Sequence, residues 1–210
     1  EPSLYKLLDF IASSTIFPNR VIIVIRDIDS FSYDPTMYPY PISLLHSPAR
    51  GQVNQRIFGF LNSRSSLVMQ IDADCSFDSY FLNNYITEFL RLESKCDSAI
   101  AVAPSFIDSK SRLMFSNENR FSLYYRILLG MTGLLFPNKN LSKFGQNFPL
   151  NLSRNLIADS THTFRSDWLP GGCVLQRKNS LIIDNYYHFS GKAYAEDLFH
   201  SYLLFSKSVS

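Results

Sequence analysis

The chain has 210 residues, of which 46% are hydrophobic and 18% charged, enough apolar material for one domain with a substantial core and too little charge for a disordered polyelectrolyte. A formal net charge of +2 leaves no dense basic stripe, so no nucleic-acid partner is expected. Cys75, Cys96 and Cys173 lack metal-type spacing and follow no secretory signal pattern, which fits a reducing cytoplasm.

Leu4, Leu7, Leu8 and Ile11 recur at helical spacing, with Ser3 as the expected N-cap and Ser13 and Ser14 as the stop. The β-branched run from Arg20 to Asp27 predicts a central strand covered on both faces, and a Pro- and Tyr-rich loop leads to a second apolar run, Ile42 to His46. A helix is predicted over 52–62, with Val53, Ile57 and Phe60 on one face, and then a short buried strand over 67–71. Asp78 is placed to cap a helix carrying Phe81, Leu82, Tyr85, Ile86, Phe89 and Leu90, before a strand over 99–103. This alternation predicts an α/β fold with a mostly parallel sheet, whose ligands lie at the C-terminal strand edge.

Beyond Asn117 the pattern becomes irregular and reads as loops or short antiparallel pieces, a ligand-covering subregion of one domain spanning 1–210. Within it, Phe121 to Pro137 is apolar and aromatic but broken by Arg126, Gly130 and Gly133. It is too short to span a bilayer and not basic enough for an anionic surface, so it reads as a buried core helix. The last predicted element is a helix over 195–204.

Asp72 and Asp74 follow the buried strand directly, where two carboxylates are costly unless a cation or hydrogen bonds compensate them. Extended alternation points both the same way, toward a divalent Mg or Mn ion with open positions for a diphosphate. An Asp-rich turn capping the next helix is the plainer alternative. Arg50 and Arg56 lie near the N-terminal part of the preceding helix, where free amides and the dipole also favour a phosphate-bearing ligand.

The succession of a strand ending in Asp, then Gly51, Arg56 and Gly59, then D-A-D thirteen positions after Gly59, resembles family 2 glycosyltransferases of the GT-A fold, as found in bacterial envelope-polysaccharide synthesis. Ile57 stands where that family often has Asn, and R-D-I-D stands for the usual V-D-D, which leaves Asp27 and Asp29 as rival candidates for the nucleoside contact. DWLPGGCVLQRK, Asp167 to Lys178, is similar to the family's segment lining the sugar pocket, with Gly171 and Gly172 admitting a bulky ligand, although a tight turn with Trp168 in the core explains it equally well. Glu196 and Asp197, at a helix start, resemble the family's catalytic-base pair. Relatives begin with a further strand and continue past this pair into a loop, so the chain reads as truncated at both ends.

The resemblance implies an inverting transfer from a nucleoside-diphosphate sugar to a glycan or lipid-linked acceptor, in the cytoplasm or at the inner face of the membrane, with peripheral membrane association compatible with it. Asp197 would be the general base, Asp74 the metal ligand, Asp72 a ribose or metal contact, and Arg56 a positive charge near the diphosphate. His200, one turn after Asp197, is either near the acceptor or structural. Two rivals stand beside this reading. One is a haloacid-dehalogenase-like phosphatase with Asp72 as nucleophile and Asp74 as general acid, against which Cys75 and Ser76 depart from the expected Thr or Val. The other is a catalytically degenerate module that only binds sugar nucleotides.

Overall fold

A computed structural model describes residues 2–26, 31–32, 34–107, 163, 169–187, 196–207 and 209. The chain divides into two compact units, one of Glu1–Ala103 with Pro170–Ser210 and the other Pro104–Leu169. Every helix and strand discussed below belongs to the first unit. The expected apolar helix over 121–137 lies outside the described residues.

Helix α1 spans Pro2–Ala12. Ser3, expected as its cap, sits inside the first turn, and Pro2 opens the helix at a position where no backbone N–H is needed. Its predicted face is buried: Leu7, Leu8 and Ile11 pack with Ile23, Phe31, Tyr40 and Leu82 in one apolar cluster. The Tyr40 hydroxyl donates to the Leu8 carbonyl at 2.7 Å, so this aromatic ring enters the core with its polar end satisfied.

Strands β1 (Val21–Ile25) and β2 (Ile42–His46) pair in parallel, with Ile23 opposite Leu44. Helix α2 covers Gln52–Asn62 as predicted and buries Val53, Ile57 and Phe60. Gly51 precedes it at φ 113, a left-handed conformation that a residue with a Cβ rarely adopts, and so turns the chain sharply into the helix. Strand β3 (Leu67–Ile71) also has its predicted bounds. Helix α3 runs from Phe81 to Glu93, and Asp78 supports the turn before it, accepting from the Tyr80 N–H at 2.9 Å instead of capping the helix itself. Strand β4 is shorter than expected, Ala101–Val102.

The sheet departs from the predicted parallel arrangement. Strand β5 (Cys173–Arg177) lies between β3 and β4 and runs antiparallel to both, with Ile71 opposite Cys173 and Ala101 opposite Gln176. Among the described residues parallel pairing is confined to β1 and β2. The reason is connectivity. β3 and β4, joined through α3, point the same way as a crossover requires, but β5 returns from a distant part of the chain and is free of that constraint. Its central place explains why Cys173, Val174, Leu175 and Gln176 are all buried. Helix α4 (Glu196–Ser206) closes the unit, with Leu204 packed against Ile182 and Val209. The molecule is thus mixed α/β, and among the described residues no helix is long and apolar enough to cross a membrane.

Candidate active site

Because β5 is antiparallel to β3, the turn that starts β5 lies beside the residue that ends β3. The Asp72 N–H donates to the Gly172 carbonyl at 2.7 Å, and the Gln70 amide donates to the Gly171 carbonyl. Helix α2 comes to the same place with its first turns: Gln52 and, one turn further on, Arg56 both lie close enough to the Asp72 carboxylate to favour its charge. The first turn of α4 completes the group with Glu196 and Asp197.

Arg56 and Glu196 form a buried ion pair. Arg56 Nη1 is 2.7 Å from each Glu196 carboxylate oxygen, with only 6% and 4% of the two side chains exposed. The Tyr186 hydroxyl donates to Glu196 Oε2 at 3.1 Å. Burial alone would keep Glu196 protonated, but the guanidinium charge and these hydrogen bonds prevail and hold its pKa below the usual value. Burial likewise works against the Arg56 charge, and Glu196 overcomes it, so Arg56 stays a cation.

Asp197 responds in the opposite sense. Burial, a hydrogen bond to Glu196 and the Glu196 charge push its pKa up to about 7, against the opposing effect of the Gly171 N–H that it accepts. Its contact with Gly171 is close enough that a Cβ there would collide with Asp197 Oδ1 and come within 3.2 Å of Glu196 Oε1. Asp72 is raised to about 6, by burial first and by Asp74 and Glu196 after it, while Arg56 and Gln52 oppose the rise.

His200 is fully buried and held neutral, its pKa lowered to about 4 chiefly by burial and next by the Arg56 charge. Its ring stacks on Tyr186 with centroids 5.8 Å apart. Arg56 Nη2 and His200 Nε2 are both buried without a hydrogen-bond partner.

Of the residues expected at the site, Arg56, Asp72, Gly171, Gly172, Glu196 and Asp197 are brought together. Asp27 and Asp29 lie outside the described residues. Asp74 is exposed, in the turn after β3, and close enough to Asp72 to act on its charge. Among the described residues no group of three or more His, Cys, Asp or Glu side chains is arranged to hold a metal ion. Among the described residues Asp72 and Asp74 would supply two carboxylate ligands, and a bound diphosphate and water could add oxygens to the shell. Such a partial donor set fits a cation that arrives with its phosphate ligand.

Tyr186, Gln52 and Gln70 were not foreseen. Gln52 and Gln70 adjoin motif residues without being among them and Tyr186 lies in no motif, and their place is decided by strands and helices that meet only in three dimensions. A cavity of about 250 Å³, lined by residues that include Arg20, Ser43, Asn62, Arg64 and Lys178, shares no residue with this group. Compared with known proteins, the chain matches no family model, no curated protein and no solved structure.

Proposed function

We propose that this site transfers a sugar, with inversion, from a nucleoside-diphosphate donor to an acceptor hydroxyl, and that the chain has the GT-A-like arrangement the sequence resembles. The observation that carries the reading is the contrast between two neighbouring carboxyls. Glu196 is held ionised by Arg56, whereas Asp197 is pushed toward the pH at which a general base both accepts and releases a proton readily.

In the proposed step the acceptor O–H gives its proton to Asp197 while its oxygen bonds to the anomeric carbon. The bond from that carbon to the diphosphate oxygen breaks, and its electron pair leaves with the nucleoside diphosphate. A divalent Mg or Mn ion at Asp74 would offset the charge that grows there. Asp72 would orient the ribose or a metal-bound water, and Gly172 would let the sugar approach the backbone, whereas the space at Gly171 is taken by the Asp197 carboxyl. Arg56 brings positive charge to the same group. The acceptor is a glycan or a lipid-linked glycan, and the setting is the cytoplasm or the inner face of a membrane. The phosphatase alternative is less well supported, since Cys75 and Ser76 stand where that family has Thr or Val and the late acidic pair, Glu196 and Asp197, opens a helix instead of ending a hydrophobic strand.

Release of nucleoside diphosphate from a panel of nucleotide sugars, with Mn²⁺, tests this. Turnover should rise with pH and level off above about 7, because only ionised Asp197 can take the proton. Asp197→Asn should lower it about 100-fold or more while nucleoside-diphosphate affinity stays near the native value. A panel in which no nucleotide sugar is bound or consumed overturns the reading, and near-native turnover by Asp197→Asn moves the base elsewhere.

A further inference from the structure

The geometry points to Arg56 as a positioning residue for Asp197, acting through Glu196 and not through contact with the donor diphosphate. This inference rests on the transfer reading above and concerns what holds its base in place.

Arg56 directs one nitrogen at both oxygens of Glu196, 2.7 Å from each, across a separation of 140 residues. With the two side chains 6% and 4% exposed, little of that guanidinium is open to a soluble ligand. Glu196 has no comparable freedom either. Arg56 holds both its oxygens, and Tyr186 adds a bond to one of them. A carboxylate offers about four lone-pair sites, so Glu196 is close to saturated by protein groups.

Asp197 is the next residue along α4, and its carboxyl lies against Gly171 in the space a Cβ there would need. Arg56 therefore ties the first turn of α4 to α2, and the place of Asp197 follows from that tie. Loss of the guanidinium would leave Glu196 as a buried charge without its partner, which costs far more than loss of the pair together. Glu196 would then take up a proton or swing toward solvent, and either change alters the neighbour that Asp197 bonds.

The test uses the full chain with Arg56→Gln, Glu196→Gln and the double substitution, which preserves net charge and lets two amides replace the ion pair. Binding of uridine and guanosine diphosphates with Mn²⁺ is measured by calorimetry, stability by urea denaturation, and the Asp197 carboxyl titration by ¹³C NMR. The double variant should bind diphosphate within about threefold of the native chain and be at least as stable as Arg56→Gln. A soluble double variant beside an insoluble Arg56→Gln is the same coupling. The Asp197 midpoint should fall by about one pH unit or more in Glu196→Gln, because the adjacent negative charge and its hydrogen-bond acceptor are gone.

A tenfold loss of diphosphate affinity in the double variant puts the guanidinium on the donor and overturns the inference. Additive stability losses, or an unmoved Asp197 midpoint, overturn it too. Absence of sugar transfer would sink the transfer reading alone, since none of these three measurements requires turnover.

Discussion

At Gly171 the space a side chain would need is already filled by the Asp197 carboxyl. Gly171→Ala should thus displace that carboxyl while leaving the chain folded, because the colliding atom is the end of a side chain and can rotate away. Turnover of a nucleotide sugar should fall about as far as in Asp197→Asn, roughly 100-fold, with an unchanged far-UV circular dichroism spectrum. Native turnover by Gly171→Ala would show that Asp197 does not work from the position it holds here. The acids and the double glycine were legible as residue types, because carboxylates after a buried strand and at a helix start are conspicuous. Which acid stays charged was not legible. That depends on Arg56, far away in sequence, and on Tyr186, which no local pattern distinguishes.

Among the elements, α2 and β3 were readable to the residue because their apolar spacing is clean and each is bounded by turn-forming residues. The residues of β5 fell in the stretch that reads as loops or short antiparallel pieces, and its central place between β3 and β4 was not legible, since a short apolar run looks the same at the edge and at the centre of a sheet. Its burial between β3 and β4 leads to a stability prediction. Leu175, 2% exposed at its centre, should cost about 2–5 kcal/mol on replacement by Ala, through lost burial and the cavity left behind. Phe205 on α4 is 62% exposed, and its replacement by Ala should stay within about 0.5 kcal/mol. Urea denaturation of both variants checks the contrast, and equal losses would mean that β5 is not central to the fold.

Across the whole molecule, the two sides of the proposed reaction are carried by different segments: the end of β3 would hold the donor, and the start of α4 the base. Asp74→Ala should therefore weaken nucleoside-diphosphate binding about tenfold or more, as should removal of Mn²⁺ by a chelator, and the exposure of Asp74 should keep the fold intact. Calorimetric affinities unchanged in both experiments would remove the metal from the mechanism.

The long reach of the Arg56 to Glu196 pair also bears on how the chain comes to its native state. Contacts between distant positions form late, because closing a long loop costs entropy before it brings any return. Helices α1 to α3 and the β1–β2 pair draw on the first half of the chain and have local contacts to guide them. The ion pair, by contrast, waits for a helix 140 residues away to arrive. As the chain folds, much of its early architecture can thus be in place while two acids and an arginine still stand in water, unpaired and with ordinary proton affinities. For the proposed reaction, competence would come with the docking of α4, so turnover would report that docking more strictly than helical content does.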